Sequence, residues 1–146
     1  MIYIDTSVIV KLYVKERYSL EVSTWIKKNN QALLLTRLHD LEFINAIHLK
    51  QFREEITQEQ VRLILSKFDE HWERGVYYRP RQNWTETLNI AVELARNHTG
   101  YIGSRSLDVL HVASAIATSA DHFLTFDDRQ ARLAALAGLK VESIIM

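Results

Sequence analysis

Short, continuous apolar runs are set between longer amphipathic stretches along this chain, a pattern that few folds accommodate. Ile2-Tyr3-Ile4, Ala32 to Leu35, Val76-Tyr77-Tyr78, His122 to Phe126 and Leu139-Lys140-Val141 are each too short for a stable helix. They also lack the sustained polar–apolar alternation of a sheet with one wet face. Strands buried on both sides have this pattern, because helices cover each face of a parallel sheet. The stretches between them, 18–29, 38–52, 57–72, 83–97, 107–120 and 129–137, repeat apolar residues near the helical period. A first short helix is expected after Asp5-Thr6-Ser7, where an apolar strand gives way to small polar residues and then to Val8–Val14.

Strands alternating with helices predict an α/β fold with a mostly parallel sheet and helices on both faces. Local punctuation agrees. Thr57 with Gln60 three residues on is a capping-box pattern, Gly75 and Gly138 close helices, and Pro80, the only proline, ends the third strand. Thr99 to Ser106, with two glycines, is expected to be the clearest loop. No linker, internal repeat or low-complexity segment breaks the chain, so residues 1–146 are expected to form a single domain.

Composition narrows the function classes. The chain is 47% hydrophobic and 25% charged, the balance of a water-soluble globular protein, and no apolar run approaches the ~18–20 residues needed to cross a bilayer. The N-terminus has no basic segment, and Asp5 interrupts its apolar stretch, so it is not expected to be a signal peptide. A cytoplasmic protein with no membrane partner is the expectation. The absence of cysteine excludes disulfides, thiolate metal sites and thiol nucleophiles. Net charge is zero, whereas proteins that grip nucleic acid by neutralising many phosphates are usually basic. Any nucleic-acid binding must be local or must run through metal ions.

In a doubly wound sheet, ligands bind beyond the carboxyl ends of the strands, near the point where strand order reverses. Asp5 follows the first strand directly, and Asp127 and Asp128 follow the fourth. Glu42 lies early in the helix after the second strand, and Asp108 in the first turn of the helix after the glycine loop. Taken singly, each acid has an ordinary explanation. An Asp between strand and helix caps the helix, an acid in the first turn offsets the helix dipole, and Glu42 can sit on a solvated face. Those explanations do not account for all four falling on one edge of one sheet. Like charges brought together raise one another's pKa and oppose folding. A cation relieves that conflict, and an all-carboxylate donor set suits Mg²⁺ or Mn²⁺, the usual partners of phosphate chemistry.

Four segments then carry a resemblance over essentially the whole chain. They are Tyr3-Ile4-Asp5-Thr6-Ser7-Val8 with Lys11-Leu12-Tyr13, Leu41-Glu42-Phe43-Ile44-Asn45-Ala46, Ser104 to Ala115, and Phe123 to Gln130. With these segments the chain resembles the PIN-domain proteins, and among them the VapC-type toxins of toxin–antitoxin pairs. The resemblance implies a PIN-like three-layer α/β/α fold with a five-stranded sheet, Mg²⁺- or Mn²⁺-dependent endoribonuclease activity, a homodimer, and inhibition by an antitoxin laid across the active site. It implies that Asp5, Glu42, Asp108 and Asp127 form the acidic quartet, with Thr6 and Thr125 as polar supports. Asp128 is an adjacent acid that either takes part or caps the last helix.

Other residues attract weaker expectations. Arg105, in the loop before Asp108, is the favoured phosphate contact among Lys11, Lys15, Arg17, Arg105 and Arg129. His111 shares a helix face with Asp108 three residues earlier, and a supporting role there competes with simple packing. Ser7, Ser106 and Ser114 lack a nucleophile elbow and read as caps or packing residues. Phe52, Leu63, Leu65 and Phe68 offer either core or an interface for a second copy or an antitoxin. Two rival functions stand beside the nuclease. One is a non-catalytic RNA- or partner-binding module. The other is an aspartyl-phosphate phosphatase, disfavoured because Ser7 stands where that chemistry wants a second acid.

Overall fold

A computed structural model describes residues 1–144. Its sheet has five strands, β1 (Ile2–Ile4), β2 (Leu33–Leu34), β3 (Tyr77–Tyr78), β4 (His122–Leu124) and β5 (Lys140–Glu142), in the order β3-β2-β1-β4-β5. Every pairing is parallel. Between the strands lie α1 (Thr6–Val10), α2 (Ser19–Asn29), α3 (Arg37–Phe52), α4 (Gln58–Glu73), α5 (Trp84–Leu94), α6 (Gly100–Ile102), α7 (Ser106–Ala117) and α8 (Asp128–Leu136). The α/β expectation holds, with helices on both faces of a parallel sheet.

Register explains why the strands carry apolar residues without alternation. Tyr3 pairs with Leu34 on one side and Phe123 on the other. These three join one core cluster with Leu94 of α5, Val109 and Val112 of α7, and Leu133 of α8. Their neighbours Ile4 and Leu124, also paired, belong to a second cluster with Leu33 and Leu35. That cluster holds Val8 and Ile9 of α1, Val22 of α2, Phe43 and Ile47 of α3, and Val61 and Phe68 of α4. Successive strand residues therefore feed two cores. Ile4, Phe123 and Leu124 are 1% exposed or less, and each such burial contributes about 1.5–3 kcal/mol.

Capping sets the helix boundaries where the sequence signals them. Thr57 accepts a hydrogen bond from the Gln60 amide at 3.1 Å, and the Gln60 side chain accepts from the Thr57 amide at 2.8 Å. Thr36 builds a similar box at the start of α3, with His39 in the third position. The expected loop at 99–106 is mostly helical. After α5 the chain makes a π-helical turn (Ala95–Thr99) and runs on through α6, so only Gly103 to Arg105 lie outside helix. Gly100 sits in ordinary helical space at φ −60°, whereas Gly103 at φ +76° ends the element. Two glycines signal a break only where one of them must turn left-handed.

Strand order locates the site. The chain lays down β1, adds β2 and β3 on one side, then crosses back to place β4 and β5 on the other. The reversal falls between β1 and β4, and Asp5 and Thr125 follow their carboxyl ends directly.

Candidate active site

Asp5, Glu42, Asp108 and Asp127 all line one open groove of about 450 Å³. They come from four separate elements: the end of β1, the second turn of α3, the first turn of α7 and the N-cap of α8. Thr6, Ser7, Arg105 and Leu107 complete this end of the groove, which continues along α3 past Asn45, Ala46, Leu49 and Lys50. A second hollow, shared through Arg105, Asp108 and Asp127, extends past Asp128 and Arg129.

Asp5 and Asp127 are both N-cap residues, yet they differ. Asp127 caps α8, accepting from the Gln130 amide at 2.9 Å. Asp5 makes no side-chain cap bond to α1. Its Oδ2 instead accepts from the Ser7 hydroxyl at 2.5 Å and from the Thr125 hydroxyl at 3.4 Å. Burial pushes the Asp5 carboxyl above its usual range, while His111 and Ser7 pull it back and Glu42 and Asp108 push it further up.

Glu42 accepts the Thr6 hydroxyl at 2.8 Å and contacts Nε2 of His111, both through Oε1. Burial acts to raise its pKa, but the hydrogen bond and charge of His111, with Thr6, outweigh it and hold the carboxyl below its ordinary value. The His111 side chain is 1% exposed. Burial acts against its charged form, yet the Glu42 hydrogen bond and the charges of Asp5, Glu42 and Asp108 leave its pKa raised.

Arg105 stands at the rim with its side chain 80% exposed, and its Nε donates to Asp108 Oδ2 at 3.1 Å. The Asp108 bond and charge, then the charges of Asp127 and Asp5, raise its pKa further. Among the described residues, its direct contact is with Asp108 alone. Thr125 receives the Asp127 amide at 3.0 Å while donating to Asp5, which ties the two acidic segments together. Asp128 is exposed in the first turn of α8, beside the groove and outside its lining.

The remaining candidates separate. Lys11 is turned inward, bonded to Glu16 at 3.0 Å with its ammonium 5.4 Å above the Phe126 ring. Lys15, Arg17 and Arg129 are exposed. Ser7, expected to cap or pack, holds Asp5, and its place two residues after a strand-ending Asp is the signal that could have found it. Phe68 lies in the core, Leu65 is half-buried, and Phe52 and Leu63 are exposed at 84% and 61%.

Among the described residues, five carboxylates, the quartet and Glu16, line the groove with only Lys50 and Arg105 as cationic side chains, an acidic concavity in a chain of zero net charge. Such a site favours a hard cation or a cationic side chain, and through either one an anionic ligand. No helix among the described residues is long and apolar enough to cross a membrane.

The crystal structure of FitAcB from Neisseria gonorrhoeae is similar, with a TM-score of 0.66 at 15% sequence identity. The match covers 99% of this chain and 98% of that one. At that identity the likeness concerns the fold. No curated protein sequence matches the chain. The PIN domain family model matches residues 2–136, from the first strand to the end of the last helix, and by that match the chain belongs to the PIN domain family.

Proposed function

We propose that this protein is a Mg²⁺- or Mn²⁺-dependent endoribonuclease, acting in the cytoplasm as the toxin of a toxin–antitoxin pair. The observation that carries the proposal is the convergence of Asp5, Glu42, Asp108 and Asp127 on one groove at the carboxyl edge of the sheet. PIN-family membership and the VapC-like segments supply the direction from acidic groove to RNA.

The donor set fits a divalent cation of the hard class. It offers carboxylate oxygens from four elements and no thiolate. Among the described residues no group of three or more such side chains forms a ready-made cage. Mg²⁺ does not need one, since it commonly keeps several waters and takes one or two carboxylates besides the phosphate of its substrate. In this reading Asp5, Glu42, Asp108 and Asp127 would together supply the one or two direct carboxylates and the acceptors for the ion's waters. When bound, it supplies Lewis-acid chemistry, offsetting phosphodiester charge and making water at the site a better nucleophile.

The chain's own residues prepare the rest. Thr6 orients Glu42, and Ser7 and Thr125 orient Asp5, each by donating to one carboxylate oxygen. Asp128 adds charge at the mouth. Arg105 stands where a phosphate enters and holds Asp108 until it does. The α3 side of the groove, with Leu49 and Lys50 and the nearby exposed Leu41 and Ile44, suits an antitoxin segment laid across the site. A homodimer is part of the same reading.

The test is cleavage of single-stranded RNA at fixed ionic strength. Wild type is expected to cut with Mg²⁺ or Mn²⁺ and to stop with chelator. Asp5→Asn and Asp108→Asn are expected to lose at least ~100-fold, more than removing a supporting residue typically costs, while keeping the wild-type melting temperature within a few degrees. Full cleavage by either folded variant contradicts the mechanism. RNA binding without cleavage by wild type favours the non-catalytic module.

A further inference from the structure

His111 connects the core to the acidic groove. Its Nδ1 lies 2.8 Å from the Tyr3 hydroxyl, and its Nε2 contacts Glu42 Oε1, with Thr6 Oγ1 at 3.4 Å and Asp5 Oδ1 at 3.8 Å. Tyr3 is fully buried in β1 and stacks on Phe123 with ring centroids 5.4 Å apart. Nε2–H donates to the carboxylate whether or not the ring is charged; Nδ1 accepts from the phenol when the ring is neutral and donates to the phenol oxygen when it is protonated. Thr6 donates to the same Glu42 oxygen, so both hydrogen bonds found on this carboxylate fall on Oε1.

Glu42 would otherwise be a mobile group. It sits on α3 with its side chain 23% exposed, and its three torsions must all be fixed for an oxygen to hold one position. We propose that His111, oriented by Tyr3, is a positioning residue that pins Oε1 of Glu42 and leaves Oε2 as the oxygen available to a divalent cation. Ser7 and Thr125 do the same for Asp5 through Oδ2, leaving Oδ1 with His111 Nε2 at 3.8 Å as a neighbour beyond hydrogen-bond distance. In each case the fold occupies one oxygen of a carboxylate and spares the other. The inference rests on the metal-dependent reading of the groove.

A packing role alone predicts loss of stability when His111 is replaced, with no separate effect on the groove. The discriminating experiment titrates metal-free protein with Mn²⁺, reading free ion by electron paramagnetic resonance, with a thermal melt of each variant. His111→Leu keeps bulk and removes the donor, His111→Gln restores an N–H near the place of Nε2, and Tyr3→Phe removes only the orienting hydroxyl. His111→Leu is expected to weaken Mn²⁺ binding about 10–100-fold. His111→Gln is expected to recover most of that loss, and Tyr3→Phe to show a smaller loss of the same sign. Wild-type affinity in folded His111→Leu, or no recovery in His111→Gln, overturns the proposal. If His111→Leu does not fold, wild-type affinity in Tyr3→Phe overturns it and weakened affinity supports it. Absence of Mn²⁺ binding by wild type overturns the metal reading and this inference together, whereas binding that no variant changes overturns this inference alone.

Discussion

Asp5 and Asp127 share a formal position, each the last residue before a helix, and their environments give them different work. Asp127 spends Oδ1 on the Gln130 amide, whereas Asp5 leaves its helix uncapped and is held by two hydroxyls. The capping explanation, reasonable for either from sequence, survives only for Asp127. Capping and charge can be separated there. Asn caps about as well as Asp, and Ala does not. Asp127→Asn is therefore expected to keep stability and lose RNA cleavage. Asp127→Ala is expected to lose both, with stability lower by about 1 kcal/mol in a denaturant melt. Equal stability of the two variants contradicts the cap, and full activity of Asp127→Asn contradicts its place in the site. The candidate quartet was legible because each acid lies at a strand end or early in a helix. The supports were less so. Ser7 is one small polar residue among many, and the Tyr3–His111–Glu42 chain joins residues 3, 111 and 42, which no local pattern connects.

At the scale of elements, the parallel strands and most helices were legible because each strand feeds two cores and each cap is local. The 95–106 segment was not. Glycine there stood for a loop, but a helix tolerates glycine at moderate cost, and Gly100 lies in the helical region at φ −60°. The π-helical turn before it depends on which carbonyl each amide finds, which composition does not record. The two glycines should respond oppositely to substitution. A Cβ at Gly100 would meet nothing within 4 Å, so Gly100→Ala is expected to stabilise by about 0.5–1 kcal/mol. Gly103 has φ +76° and room for a Cβ, with Arg129 Nη1 at 4.0 Å. The backbone alone therefore sets the cost of Gly103→Ala, about 1–2 kcal/mol. Thermal melts of the pair check this, and destabilisation by Gly100→Ala would contradict the helical assignment.

At the scale of the molecule, the order β3-β2-β1-β4-β5 makes β1 the centre of the sheet and its carboxyl end the place where both halves meet. His39 anchors that centre. Its Nε2–H donates to the Ile4 carbonyl at 2.7 Å, and its Nδ1 accepts the Thr36 amide at 2.9 Å, so the ring is needed neutral. Burial above all, with the charges of His111 and Arg79, holds its pKa well below the ordinary value, and the Ile4 carbonyl only partly offsets them. The unfolded chain therefore binds a proton at His39 that the folded chain refuses. The stabilisation from a neutral His39 is fully present above about pH 6.5 and declines below it, by up to about 1.4 kcal/mol per pH unit. The stability advantage of wild type over His39→Gln is expected to shrink between pH 7 and pH 5. An advantage unchanged over that range would show that His39 does not titrate out of the fold.

Zero net charge counts against RNA binding only if the whole surface must do the binding. An acidic groove that takes up a divalent cation loses much of its negative charge and turns that cation toward an incoming phosphate. The most direct measurement is anomalous scattering from Mn²⁺ in crystals of wild type and Asp5→Asn grown under the same conditions. A Mn²⁺ peak among the Asp5, Glu42, Asp108 and Asp127 carboxylates is expected in wild type and is expected to be lost in the variant. Wild-type crystals with no Mn²⁺ among those four carboxylates, or an undiminished peak in Asp5→Asn, would contradict it.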